Sequence, residues 1–390
     1  MNKMKKLIIV NNNMKIGGVQ KSLTNLLHSI HGRYDITLLL FSKNGALLAD
    51  IPEDVKVISC SGLMRYLGMG QDDCVAFRDK LIRGSLVILC RLFGRSNAVK
   101  LMLGTEKKLP GKYDAAISYL HNGRQKQLYG GVNEFVLSKV DSDRKIAYLH
   151  CDYRYFGGNE KKNNAVLSRF DRIAACSEGC KRAFLEAMPE LADKCAAATN
   201  FHRFDEIKRL AYREPVRYDA SAVTILCAAR LSHEKRLDRA LYALKYCRER
   251  GMEAELHLVG DGAKRGELEE LSRKLGIENH VRFYGEQKNP YAYMVNADLL
   301  LLTSEHEAAP MVIDEAACLS LPVLSTRTSS VDEMILARNI GRVCECDQKS
   351  INEALFLMIS DREELNKLRE SMPPCNNAAA LAQFEELIGG

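Results

Sequence analysis

Short apolar runs alternate with amphipathic stretches along the whole chain. In the first half, Lys6–Asn11, Tyr34–Ser42 and Val55–Cys60 read as strands, with an amphipathic helix over Val19–His31. Tyr113–Leu120, Lys145–His150 and Arg172–Ser177 are again strand-like, and helices are predicted over Val132–Val140 and Gly179–Met188. The second half is cleaner. Val223–Ala229, Glu255–Val259, Val281–Tyr284, Leu299–Thr303, Pro322–Ser325 and Gly341–Cys344 are apolar runs, and between them helical patterns lie near Leu237–Arg250, Gly266–Leu275, Tyr291–Asn296, Met311–Leu319 and Val331–Ile335. Strands that are apolar throughout are buried on both faces, and their alternation with helices implies parallel sheets covered on either side. The pattern occurs twice. It predicts an α/β chain of two doubly wound, Rossmann-like domains over 1–210 and 221–372, with the polar stretch Arg213–Ala220 as hinge. Residues 373–390 hold one last apolar helix, Leu381–Ile388, whose packing partner the pattern does not name.

A length of 390 residues agrees with two domains, and 46% apolar with 27% charged residues is a globular balance. The apolar run after the basic start, Leu7 to Val10, is too short for a signal peptide, and no uncharged stretch is long enough to span a bilayer. A cytoplasmic protein is expected, possibly peripheral on the inner face of the cell membrane. Thirteen cysteines form no zinc-finger spacing, so they read as buried thiols and no metal site is expected. The net charge of +6 is unevenly placed: between Ser61 and Pro110 nine basic residues face only four acids.

The candidate chemistry sits after the strands of the second half. Ser304-Glu-His-Glu-Ala-Ala-Pro-Met-Val-Ile-Asp-Glu-Ala316 runs from a strand end into a helix, with Pro310 in the expected first turn. N–H groups around Pro310, Met311 and Val312 suit a diphosphate, since a helix N-terminus is positive and has unbonded donors. Glu307 and Glu315 are carboxylates suited to sugar and ribose hydroxyls; the alternative is an acidic turn that merely complements the helix dipole. Arg230 and Lys235 follow the strand Val223–Ala229, and together could neutralise a leaving diphosphate in place of a divalent ion. A solvated basic loop is the plainer alternative, and Arg236 competes with Lys235. Gly17-Gly18 joins the first strand to the first helix without the spacing of a dinucleotide fingerprint. His150 ends a strand, as a structural residue or as a polar group beside the sugar. Asp141-Ser-Asp143 matches a metal-binding Asp-x-Asp motif but reads as a solvated loop.

Together these features resemble the family-four retaining glycosyltransferases of the GT-B fold. The resemblance rests on Arg230/Lys235, Gly260-Asp-Gly262, Val281-x-Phe-x-Gly285, Glu307/Glu315, Leu321-Pro-Val323, Gly17-Gly18-Val-Gln, Leu149-His150, and Asn200 with Asp205. It implies two domains facing each other across a cleft, the N-terminal one binding the acceptor and the C-terminal one the nucleotide sugar. It implies that Arg230 and Lys235 hold the donor phosphates, that Glu315 binds the ribose, and that Glu307 and His150 are the catalytic pair beside the transferred sugar. It further implies retention of configuration, a UDP- or GDP-linked donor and no cofactor. Ala308-Ala309 stand where the family usually has Gly and a large apolar residue, as in a subgroup of bacterial surface-polysaccharide enzymes.

The expected function is therefore transfer of a hexose-type sugar to a polysaccharide or lipid-linked saccharide in cell-envelope synthesis. A degenerate GT-B protein that binds without transfer, and a GT-B-type epimerase, are the rival readings. The basic segment 61–110, with Arg83 and Arg91 among long apolar side chains, suits an anionic membrane surface. Nucleic acid is not an expected partner, because the aromatics do not alternate with the basic residues of that stretch and the net charge is small.

Overall fold

The apolar runs assemble into two parallel sheets. The computed structural model describes residues 4–389 and divides into two compact units. One comprises the chain up to Phe201 together with the stretch from Asn377 onward, and the other is His202–Asn376. The first unit holds β1 (Lys6–Asn11), β2 (Asp35–Leu40), β3 (Lys56–Ser59), β4 (Tyr113–Ser118), β5 (Ser142–Leu149), β6 (Arg172–Ala175) and β7 (Cys195–Ala197). Their order across the sheet is β3-β2-β1-β4-β5-β6-β7. The second holds β8 (Val223–Ala228), β9 (Ala254–Val259), β10 (Val281–Gly285), β11 (Leu299–Leu302), β12 (Val323–Thr326) and β13 (Gly341–Cys344), ordered β10-β9-β8-β11-β12-β13.

This order fixes where ligands can bind. In the second sheet the chain steps outward from β8 through β9 to β10, then returns to pair β11 on the other side of β8, with Leu299 beside Ile225. The carboxyl ends of β8 and β11 thus flank a topological switch point, where open parallel sheets leave a crevice. In the first sheet the equivalent point lies between β1 and β4, where Leu7 pairs with Ala115.

Burial explains why these strands read as continuously apolar. Val223, Ile225 and Cys227 of β8 enter one core cluster, while Leu226 between them enters the cluster on the opposite face. Both faces are covered, so the strand shows no alternation of apolar and solvent-facing polar positions. Among the described residues no cysteine forms a disulfide, and Cys176, Cys180 and Cys344 are buried.

Three features correct or complete the expected organisation. Residues 202–210 lie in the second unit rather than with the first 210 residues. Their helix, Phe204–Arg213, buries Ile207 and Ala211 in the cluster that also holds Tyr291, Met294 and Ile313. The division accordingly falls at Phe201/His202, before the 213–220 stretch expected as hinge. The C-terminal helix Ala378–Leu387 belongs to the first unit, where Ala380, Phe384, Leu387 and Ile388 enter its core and Thr199 donates to Gln383 at 2.9 Å. Finally, Arg95 of the basic segment is wholly buried, donating to Glu134 at 2.9 Å and Asn163 at 2.6 Å. It is a core ion pair rather than part of the basic surface.

Candidate active site

In the second unit, side-chain bonds tie the loop after β8 to the loop after β11. Thr303, directly beyond β11, donates through Oγ1 to the carbonyls of Lys235 (3.1 Å) and Arg236 (2.9 Å), and Glu305 N donates to Glu234 O at 2.9 Å. Those bonds bring Lys235 against Glu307. Lys235 Nζ donates to Glu307 Oε1, which also accepts from Ser304 Oγ at 2.7 Å. Both partners are largely shielded, with side chains 23% and 13% exposed, so water screens the pair less than a surface pair. A lysine ammonium has three donors and this pair uses one, so Lys235 keeps capacity for an anionic ligand.

Arg236, the competing cation, is directed elsewhere. Its guanidinium bonds Asp238 at 3.0 Å and lies 3.7 Å from Glu305, and its backbone is left-handed (φ 47°) between the short turn His233–Lys235 and the helix Leu237–Arg248. Arg230 is exposed at the end of β8. Its loop is held from behind by Gly260-Asp-Gly262. Leu231 N donates to Asp261 O at 3.0 Å and Lys264 N to Leu231 O at 2.9 Å. A Cβ on Gly260 or Gly262 would run into the carbonyl oxygen of Ala229 or Leu231, closer than side chains approach. These glycines serve close backbone packing that sets the Arg230 loop.

The helix after β11 is Met311–Cys318. Pro310 precedes it in extended conformation (φ −68°, ψ 111°), so it is the cap position rather than part of the first turn, and it has no N–H to offer. Ile313 N donates to Pro310 O at 3.1 Å. Met311 and Val312 are therefore the residues whose N–H groups head the helix, and the cap residue Pro310 makes no side-chain bond to them. The loop before the helix is fixed from β12: Thr326 Oγ1 donates to Ser304 O at 2.6 Å, and Ser330 Oγ donates to Ala308 O. Glu315, on the second turn, is buried at 4% exposure. Lys235, Glu307 and the helix start thus converge at the β8/β11 switch, with Arg230 on the same carboxyl edge.

The first unit carries the other expected residues. Gly17 is the cap of the helix Gly18–Ile30, in extended backbone (φ 178°). A Cβ at Gly17 would meet only the Gln20 side-chain oxygen at 2.7 Å, and one at Gly18 would meet nothing within 4 Å. The space at Gly18 is open to a ligand. The asparagines ahead of the loop hold it in place: Asn12 Oδ1 accepts from Asn13 N at 2.8 Å and Gln20 Nε2 at 3.3 Å, and Lys15 pairs with Asp73 at 2.6 Å.

His150 follows β5 directly, its ring 4.6 Å from that of Tyr119, with Nε2 buried and lacking a hydrogen-bond partner. Burial, then the neighbouring His121, pushes its pKa down to about 3, so the ring is neutral at pH 7. His121, three residues beyond β4, is a partner the sequence reading missed. Its Nδ1 is likewise buried and unbonded, and burial lowers its pKa to about 4. The available signal was topological, since a histidine at the carboxyl end of β4 lies at the first sheet's switch point. Asp141-Ser-Asp143 is at the amino end of β5, the opposite edge, where Asp143 pairs with Lys112.

Residues 209–373 match the family described as glycosyl transferases group 1. An uncharacterised glycosyltransferase of Methanocaldococcus jannaschii is 27% identical over 176 residues, 44% of this chain and 43% of that protein. The lipopolysaccharide glucosyltransferase WaaG of Escherichia coli is 31% identical over 155 residues, 39% of this chain and 40% of that protein. The chain thus spans under half the length of these curated relatives. Over full length, the structure of Anabaena HepE in complex with UDP-glucose superposes with a TM-score of 0.67 at 18% identity, covering 99% of this chain and 98% of that one. The chain thus has the GT-B fold, and its residues 209–373 are similar to the glycosyl transferases group 1.

Proposed function

We propose that the chain transfers a hexose-type sugar from a UDP- or GDP-linked donor to a saccharide or lipid-linked saccharide of a surface polysaccharide, retaining configuration and using no divalent ion. The observation that carries the reading is the Lys235–Glu307 pair at the β8/β11 switch, beside the start of the helix Met311–Cys318. The relatives support the same class: HepE is solved with UDP-glucose, and WaaG is a lipopolysaccharide glucosyltransferase.

In this reading Arg230, Lys235 and the N–H groups of Met311 and Val312 receive the diphosphate. The bond from the sugar's anomeric carbon to the phosphate oxygen breaks, and its electron pair leaves with the diphosphate, whose growing charge these donors stabilise. The acceptor oxygen bonds the anomeric carbon on the same face and passes its proton to the departing phosphate oxygen. Glu307 accepts a hydroxyl of the transferred sugar and Glu315 the ribose diol. His150, kept neutral, can both donate to and accept from sugar hydroxyls without adding charge.

A thermal-shift screen of UDP-, GDP- and other nucleotide-linked hexoses in chelator tests this. A donor at about a hundred times its Kd stabilises by about 2.7 kcal/mol, a shift of several degrees. If no nucleotide sugar raises Tm, or if only added manganese makes one do so, the reading fails.

A further inference from the structure

The helix Phe77–Phe93 has two apolar faces, and only one of them is covered. Leu86 and Cys90 are buried against the first unit. Phe77, Leu81, Ile88 and Leu92 are exposed, Phe77 at 75% and Leu92 at 71%. At about 100° per residue these four lie within roughly 60° of arc, a single stripe along the outer side. Gly84 and Ser85, about 20° beyond the two edges of that arc, add no charge. Val75, ahead of the helix, and Phe93, at its end, extend the exposed apolar surface to both termini.

Cations border the stripe. By the same helical arithmetic Lys80 and Arg91 flank one side and Arg78 the other, and all three are exposed. Asp79, the helix's one acid, lies on the inward side and bonds Arg65 at 2.9 Å and the Tyr66 hydroxyl at 2.6 Å. The structure also separates surface charge from buried charge: Arg95 is spent on Glu134, whereas Lys100, Lys107 and Lys108 nearby in sequence are exposed.

We infer that this stripe is a membrane-docking surface that lies flat on anionic lipid, with the four apolar side chains entering the headgroup boundary and Arg78, Lys80 and Arg91 meeting lipid phosphates. An apolar band with cations on both flanks and no outward carboxylate is complementary to such a surface. A second copy of the chain fits less well, because pairing two stripes would bring like charges together. The inference does not depend on the donor site.

Flotation of the full chain with vesicles tests it, using phosphatidylcholine alone and phosphatidylcholine mixed with phosphatidylglycerol. Wild type rises with the mixed vesicles and not with the neutral ones, and added salt weakens the binding. The triple change Arg78→Glu, Lys80→Glu, Arg91→Glu lowers partitioning by roughly a hundredfold. The change of Phe77, Leu81, Ile88 and Leu92 to Ser lowers it by tenfold or more, with circular dichroism and Tm as in wild type. Nucleotide-sugar thermal shifts stay unchanged in both variants, so failure here is distinguishable from failure of the donor site. Equal recovery of wild type on neutral and anionic vesicles, or of the charge-reversed variant and wild type on anionic ones, overturns the inference. A dimer that the serine variant dissociates, without vesicle binding by wild type, assigns the stripe to a second copy instead.

Discussion

Lys235 and Glu307 are 72 residues apart in sequence and meet through one oxygen that Ser304 also approaches. Removing either changes charge at the point where the diphosphate is proposed to leave. Lys235→Ala is expected to cut turnover by about a hundred- to a thousandfold, the loss typical of a donor that stabilises developing negative charge. The variant keeps its fold, because Ser304 still satisfies the carboxylate and Thr303 still ties the two loops through backbone carbonyls. Glu307→Gln is expected to show a similar loss with an unchanged circular dichroism spectrum; wild-type rates in either protein would remove that residue from the site. The spacing of Arg230, Lys235, Glu307 and Glu315 singles them out in the sequence, and of these the structure brings Lys235 and Glu307 into contact. Thr303 and Ser304 were not assigned roles, because their importance lies in contacts to a loop far away in the chain. Pro310 was misplaced by one position, since sequence alone does not separate a cap from a first turn.

At the scale of elements, the strands were legible because burial on both faces leaves no polar alternation to confuse the pattern. The helix Phe204–Arg213 was not, although Ile207 and Ala211 lie one turn apart. Its many charged residues hide the short apolar stripe, and Tyr291 and Ile313, which share its core cluster, lie far along the chain. The basic segment shows the opposite case: Arg95 reads as surface charge, yet Glu134 and Asn163, from distant elements, make it a buried residue. Loop placement gives the element-scale prediction. Gly262→Ala would press a methyl group onto the Leu231 carbonyl oxygen, shifting the loop that carries Arg230. A loss of about 1–3 kcal/mol of stability and weaker nucleotide binding are expected, read by denaturant unfolding and calorimetry. Gly18→Ala meets no protein atom and is expected to leave stability unchanged. An unchanged nucleotide affinity in Gly262→Ala would show that the loop's position does not matter to the donor.

For the whole molecule, two doubly wound units were legible from the repeated strand–helix pattern, but the return of the C-terminal helix to the first unit was not. An amphipathic helix shows that it has a buried face without saying which core covers it, and here Phe384 and Leu387 join residues from the opposite end of the chain. Stability should also depend on pH through the buried imidazoles. His121 and His150 have folded-state values of about 4 and about 3, below the ordinary 6.5. As pH falls through 6.5 the unfolded chain takes up protons first, so the stability tied to these rings is complete above that pH and lost on the way down to about 4 and 3. Tm should fall between neutral pH and about 4.5, and less steeply when both histidines are replaced by Gln; identical slopes would show that the rings do not carry the effect. The central claim is tested most directly by calorimetry of UDP and GDP binding to the full chain in excess chelator. The account predicts that at least one nucleotide binds equally well with and without chelator, and that the double change Arg230→Ala, Lys235→Ala weakens it by a hundredfold or more. Binding that needs an added divalent ion, or that survives the loss of both cations, would contradict it.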